Sequence, residues 1–224
     1  MTDASALLVA LQHGDSAFPS GGFAFSWGLE TLKADGLVRD AAGVVAFARS
    51  QLAFRWATSD RVFLRRAAQA PDDLEHLVAL DQEVEALTLP AEMRAGSRRA
   101  GRSLLRAHAK LATPGVAAYQ ASVKSGDAYG HLPVAQAVAW SGAGLGLPEV
   151  ETVAAFTLAS GITQAAIRLA ILGPLEAQAL LADLREDITV LLDQPVPDLP
   201  HAFTPAAEIA VMRHETGDAR LFAT

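Results

Sequence analysis

An all-α fold is what this sequence predicts, and three observations predict it. Apolar residues recur at helical spacing along most of the chain, no run combines alternating polarity with β-branched enrichment, and starts and stops of the helical kind punctuate the stripes. The prolines and Ser, Thr or Asp residues stand where helices should begin, and glycines where they should end. No internal repeat is present. The expected architecture is a single-domain helical bundle of roughly eight to ten helices spanning residues 1–224.

The elements follow in order. Ala4–His13 reads as a short apolar helix. Ser26 is a predicted N-cap for a helix beginning at Trp27, which sets Glu30 near a helix N-terminus, where the macrodipole favours a carboxylate. Asp40–Ala70 carries a stripe at Val45, Leu52, Trp56, Ser59 and Phe63. Pro71-Asp72 starts the next helix, with Glu75 placed for a capping box and an apolar face of Leu74, Leu77, Leu80, Val84 and Leu87. Pro90 opens a basic helix that reaches Leu111. Thr113-Pro114 is an N-cap followed by proline at the first helical position, and Gly126 is the stop. Pro133 and Pro148 begin two apolar helices read as buried on every side. After Gly173-Pro174 comes an amphipathic helix with Ala177, Leu180, Leu181, Leu184, Ile188, Leu191 and Leu192 on one face. Pro195, Pro197 and Pro200 make residues 195–205 a stiff linker. Thr204-Pro205 opens the last helix (206–216), Gly217 ends it, and 218–224 reads as a flexible tail.

Composition narrows the function. The chain has 224 residues, enough for one sizeable core, and 51% hydrophobic against 19% charged residues argues against disorder. A net charge of -7 disfavours a general nucleic-acid binder. The absence of cysteine excludes disulfides, thiolate metal sites and a cysteine nucleophile. Met1-Thr2-Asp3-Ala4-Ser5 lacks the basic start of a signal peptide, and the uncharged stretches Leu132–Pro148 and Thr152–Ile167 fall short of the ~20 apolar residues of a spanning helix. The expectation is a cytoplasmic protein with neither membrane nor nucleic acid as partner.

Catalytic fingerprints are missing. There is no GxxxxGK[ST] phosphate loop, HExxH or GxSxG, and Gly142, Gly144 and Gly146 do not follow a strand. His13, His76, His108, His131, His201 and His214 contain no pair at i, i+4. No cofactor or metal site is expected, and the chain reads as a scaffold, not an enzyme. The alternatives are a helical enzyme with an apolar pocket using Asp15, Glu30 or His131 as acid or base, and a helical adaptor.

Two charge features stand out. Arg94, Arg98, Arg102, Arg106 and Lys110 recur every fourth residue with Arg99 beside them, a ridge that reads first as paired with the acidic Asp72–Glu85 helix and second as a docking surface for an acidic partner. Ser97 and Gly101, one turn apart, imply a second helix close by. Arg168 follows sixteen uncharged residues. Its stem can be buried with its head in water, or its guanidinium can grip a partner's carboxylate at the mouth of a groove.

The most concentrated signal is Asp15–Glu30, where Phe18, Phe23, Phe25 and Trp27 crowd together with Pro19, three glycines and three serines. Pro19 pushes Phe18 toward an extended shape, and Gly21-Gly22 permits a sharp turn. Asp15-Ser16 through Pro19, Gly21-Gly22-Phe23, Ser26 and Gly28-Leu29-Glu30 resemble the N-terminal signature of the urease accessory protein family UreF. Further matches in family order are Glu92-Met93-Arg94 through Ser97, Gly101-Arg102 and Leu104-Leu105; Ala165-Ala166-Ile167-Arg168-Leu169 through Leu172-Gly173 and Gln178; and Met212-Arg213-His214-Glu215-Thr216 followed by Arg220-Leu221-Phe222. The resemblance implies a homodimeric scaffold in nickel-centre maturation that binds UreD (UreH) and with it recruits the GTPase UreG to the urease apoprotein. It makes Glu30 and Arg168 candidates for the UreG face. Met212, Arg213, His214, Glu215, Arg220, Leu221 and Phe222 become candidates for binding UreD. Pro19, Gly21, Gly22, Phe23, Ser26 and Gly28 form the structural signature. His214-Glu215 is a poor nickel pair, since adjacent helical residues point about 100° apart. Departures from the family pattern are Phe25 in place of Tyr or His, Ile171-Leu172-Gly173-Pro174, and the Phe222-Ala223-Thr224 end.

Overall fold

Helix ends fall where a side chain, a proline or a left-handed glycine can satisfy them. The computed structural model describes residues 4–21, 25–214 and 221–222. Its elements are α1 (Ala4–Gly14), α2 (Leu29–Ala34), α3 (Ala41–Gln51), a π-helical segment (Leu52–Asp60), α4 (Arg61–Gln69), α5 (Leu74–Leu87), α6 (Ala91–Lys110), α7 (Val116–Ser125), α8 (Leu132–Gly142), α9 (Leu147–Arg168), α10 (Pro174–Asp193) and α11 (Pro205–His214). The π-helical segment joins α3 to α4 without a break, so the described residues form ten rods and no strand.

Asp40 caps α3 by accepting from the Gly43 N–H at 2.9 Å, Glu176 accepts from Gly173 N–H at 2.7 Å to start α10, and Gly126 stops α7 with φ 93°. Three starts differ from the sequence reading. The helix after Ser26 begins at Leu29, because Trp27 (φ 55°) and Gly28 (φ 94°) are both left-handed and cannot be helical. Ser26 Oγ still accepts from the Glu30 N–H, at a long 3.4 Å. Asp73, not Asp72, caps α5 by accepting from His76 N–H at 3.0 Å. Gly115 (φ 77°), not Thr113, precedes α7.

The core is built around α8. Every residue from Pro133 to Trp140 is buried, with α4, α6, α7 and α9 packed around it. The other apolar helix, α9, is not buried on every side: Phe156 and Arg168 are exposed. At 22 residues α9 is long and apolar enough to cross a membrane by composition, yet 56% of its most apolar stretch is buried against the rest of the fold.

Close approach of α6 to the entry of α8 sets this centre. A Cβ on Gly101 would lie 2.2 Å from Gly130 O, so only glycine fits. Ser97 Oγ accepts from the Leu132 N–H at 3.0 Å. The turn itself is tied by Asp81 of α5, which is fully buried and accepts from the backbone N–H groups of Tyr129, Gly130 (2.9 Å) and His131 (2.7 Å). The basic ridge pairs with α5 as its acidity implies: Arg94 and Arg98 lie 3.3 and 3.7 Å from Glu85 Oε1, and Arg102 Nε donates to Tyr129 O at 2.8 Å.

A buried clamp holds the opposite end. Arg61 is 2% exposed and donates to both Glu151 oxygens (3.1 and 3.3 Å) and to the carbonyls of Leu191, Leu192 and Gln194 at the end of α10. The proline-containing segment beyond α10 lies along the π-helical segment, where His201 N–H donates to Thr58 O (2.9 Å) and Phe203 N–H to Phe54 O (2.8 Å).

Because backbone, not a flexible side chain, occupies the space beside Gly101, Gly101→Ala is expected to destabilise the protein by about 3 kcal/mol, the upper end for forced overpacking. Denaturant midpoints at unchanged m-value measure this. A loss under about 0.5 kcal/mol would show that α6 and α8 can separate freely.

Candidate partner-docking site

Chain segments distant in sequence meet at one corner of the fold. Gly28 is buried, and its missing side chain lets the start of α2 approach α11, since a Cβ there would lie 2.8 Å from Ala207 O. That contact brings Glu30, in the first turn of α2, beside the end of α11. Lys33 Nζ donates to Leu169 O just past the end of α9, which fixes Arg168 on the same side.

Glu30 is the hub. Its Oε1 accepts from the Leu221 N–H at 2.7 Å and its Oε2 from the Phe222 N–H at 3.1 Å. His214 is 5% exposed and stands between two carboxylates, with Nε2 3.2 Å from Glu30 Oε2 and Nδ1 3.0 Å from Glu92 Oε2. When both ring nitrogens carry protons, each donates to one carboxylate. Phe222 is 5% exposed, and the Arg168 guanidinium sits 4.1 Å from the centre of its ring. At this separation a cation–π contact contributes roughly 0.5–1 kcal/mol at a partly exposed site.

The structure therefore unites Glu30, Arg168, His214, Leu221 and Phe222, which the family resemblance had divided between two partners. Leu221 and Phe222 are in contact with the carboxylate at the α2 N-terminus, and Phe222 also with the Arg168 cation. Met212 and Leu221 are exposed apolar residues on this corner, and Arg213 forms an exposed bidentate pair with Asp35. Gly22, Phe23, Glu215 and Arg220 lie outside the described residues, as do Gly217 and the Ala223-Thr224 end. Of the remaining signature residues, Gly21 (φ 77°) packs on Ser103, whose Oγ donates to Pro19 O at 3.2 Å, so the loop is docked on α6.

Nothing here assembles the acid–base set proposed for an enzyme. Asp15 is exposed and accepts from the Ala17 N–H in its own turn. Glu30 holds the chain end, and His131 is wholly buried between Glu85 (2.8 Å) and Ser97 (3.1 Å). Burial lowers the His131 pKa, opposed by the carboxylates of Asp81 and Glu85. Although His214 faces two carboxylates, they meet opposite edges of its ring, and among the described residues no group of three or more His, Cys, Asp or Glu converges on a metal position.

Sequence spacing missed a second histidine arrangement. His13 and His108, 95 residues apart, stack at 4.9 Å with their Nε2 atoms 3.1 Å apart, so one donates and the other accepts. His108 Nδ1 lies 2.9 Å from Thr113 Oγ1 and His13 Nδ1 lies 2.7 Å from Val9 O. Burial lowers both pKa values, and the neighbouring His13 adds to it at His108, which is pushed down to about 4. No local pattern signals a contact across such a separation.

The described residues form an all-helical fold whose conspicuous charges join helix to helix, the arrangement expected of a scaffold. Comparison with known families agrees: the family model described as UreF matches residues 38–185. Relatives described as urease accessory protein UreF are 35% identical in Arthrobacter sp. (strain FB24), over 99% of this chain and 99% of that one, and 32% identical in Actinobacillus pleuropneumoniae, over 96% and 98%. Another, from Cereibacter sphaeroides (strain ATCC 17025 / ATH 2.4.3), is 32% identical over 98% and 99%. The chain belongs to the UreF family of urease accessory proteins.

Two outcomes follow from the geometry. Glu30→Ala leaves two backbone donors without their charged acceptor and is expected to destabilise by roughly 2–3 kcal/mol, with faster amide exchange at Leu221 and Phe222. Unchanged protection of those two amides would remove Glu30 as the hub. The second outcome concerns pH. His13 and His108 have folded pKa values below the unfolded value, so their contribution is complete above about 6.5 and is lost as pH falls toward about 4, where His108 takes its proton in the native state. Thermal melts should show falling Tm across this window and a flatter profile for His108→Gln. Identical profiles would show that burial does not set their titration.

Proposed function

We propose that this protein acts in maturation of the nickel centre of urease, as a cytoplasmic scaffold that binds UreD (UreH) and with it recruits the GTPase UreG to the urease apoprotein, coupling GTP hydrolysis to nickel insertion. In this reading the protein contributes position, not chemistry, and nickel is cargo. The protein works as a homodimer. The observation that carries the reading is the joining of Glu30, Phe222 and Arg168 at one corner, together with family membership along nearly the whole chain. Arg168 offers a cation at the surface, backed by the Phe222 ring, suited to a carboxylate on UreG. Met212 and Leu221 offer apolar contact beside it, suited to UreD. The UreD and UreG surfaces are then neighbours sharing the Glu30–Phe222 link, so binding of one partner orders the surface for the other.

The test is co-purification of the wild-type chain and Arg168→Ala with UreD, UreG and the urease apoprotein. Arg168→Ala is expected to remain folded and dimeric, at about twice 23.5 kDa by light scattering, while UreG recruitment falls about 30-fold, equivalent to roughly 2 kcal/mol for a desolvated charge contact. Normal recruitment and urease activation by a folded Arg168→Ala would overturn the assignment of the UreG face.

A further inference from the structure

A cavity of about 100 Å³ lies inside the bundle, between the π-helical segment, α6, α8 and α9. Its wall includes the apolar side chains of Trp56, Leu104 and Leu158, and the loop residues Phe18, Ser20 and Trp27 close one side. The polar part includes Gln51, Arg55 and Asp60 along one rod and Gln136 and Trp140 of α8. At about 100° per residue, nine steps of α-helix would set Gln51 and Asp60 on opposite sides of the rod. The wider i→i+5 winding of the π-helical segment brings both to the same cavity, a use to which such segments are put at functional sites.

Hydrogen-bond bookkeeping shows too many donors. Gln51 is 1% exposed and Trp140 2% exposed, and neither Gln51 Nε2 nor Trp140 Nε1 has a hydrogen-bond partner within the protein. Arg55 is 9% exposed; one Nη atom lies 3.2 Å from the Met93 sulfur, a weak acceptor, its guanidinium carbon is 6.0 Å from the centre of the Trp27 ring, and its Nε forms an ion pair with Asp60 Oδ2 at 3.6 Å, longer than a hydrogen bond. Leaving a buried donor unmatched costs about 1–3 kcal/mol, and here two orphans border the same space as a guanidinium whose one hydrogen bond is to a sulfur. The volume is several times the ~30 Å³ share of one water molecule. What fits is an occupant with several acceptor lone pairs and a charge opposite to guanidinium.

We propose that this cavity is a binding site for a small carboxylate-type anion, held by the Arg55 guanidinium with the Gln51 amide and the Trp140 indole donating to its oxygens. A planar carboxylate can take two parallel N–H bonds from Arg55 and still present lone pairs to the other two donors. Burial raises the Asp60 pKa against the pull of Arg55 and His131. The site is separate from the Glu30–Arg168 corner and does not depend on the role in urease maturation.

The experiment titrates the intact protein with carbon-13 acetate, followed by NMR, and with acetamide, its neutral counterpart of nearly equal size. Acetate is expected to bind saturably at about 1 mM, within reach of four non-hydrogen atoms, and acetamide at least tenfold more weakly. Trp140→Phe, which removes one donor and keeps an aromatic ring, should weaken acetate about tenfold, and Arg55→Met should abolish binding. If Arg55→Met does not fold, the acetamide and Trp140→Phe arms decide. Absence of saturable acetate binding would mean that the cavity holds water only and would overturn the proposal. Equal binding of acetamide, or unchanged affinity in Trp140→Phe, would do the same.

Discussion

A single buried carboxylate, Asp81, organises the centre of this protein. A charge removed from water is costly unless hydrogen bonds replace its hydration, and Asp81 receives three from consecutive backbone N–H groups at Tyr129, Gly130 and His131. Three aligned peptide dipoles form a concave anion seat. The seat fixes the turn that enters α8, and the turn in turn presents Gly130 O to the bare face of Gly101. Once α6 and α8 are in contact, α8 is enclosed, and α4 and α9 pack against it. The apolar composition of Pro133–Trp140 follows from that enclosure, since no side of the helix reaches water.

Glu30 repeats the device at the edge of the molecule. It also accepts from two consecutive backbone N–H groups, those of Leu221 and Phe222. The difference is exposure: Asp81 is wholly buried, whereas the Glu30 side chain keeps 16% of its surface in contact with solvent. An edge site with fewer packed neighbours opens at lower free energy than a core site. Opening of the Leu221–Phe222 contact therefore need not disturb the α6–α8 centre.

Helix order was legible because prolines, glycines and apolar stripes are local signals. The details that escaped are those in which tertiary contact overrides them. Ser26 has the right chemistry for a cap, yet Trp27 and Gly28 adopt left-handed conformations so that Gly28 can meet Ala207 O, and the helix start moves to Leu29. The stripe Leu52, Trp56, Phe63 is compatible with α- or π-helical winding over so short a run, so the π-helical segment left no mark. At the candidate site, Glu30 and Arg168 were reached through family resemblance, but their common contact with Phe222 exists only in three dimensions. Arg61–Glu151 and His13–His108 are separated by 90 and 95 residues; each residue alone looks like an ordinary surface polar group.

Arg55 and Arg61 make the contrast between a structural and a ligand-binding arginine. They stand six residues apart near the same π-helical segment, and both are at least nine-tenths buried. Arg61 meets a bidentate carboxylate and three carbonyls, so its charge and its donors are matched by the protein itself. Arg55 meets a thioether, the Trp27 ring and, as a longer ion pair at 3.6 Å, the Asp60 carboxylate. Similar burial with unequal hydrogen bonding separates the two: the first arginine completes a clamp between helices, while the one hydrogen bond given for the second is to a sulfur. Apolar replacement at Arg55 would have been the simpler solution for packing alone. Its presence beside two unmatched donors is what a cavity shaped for an acceptor requires.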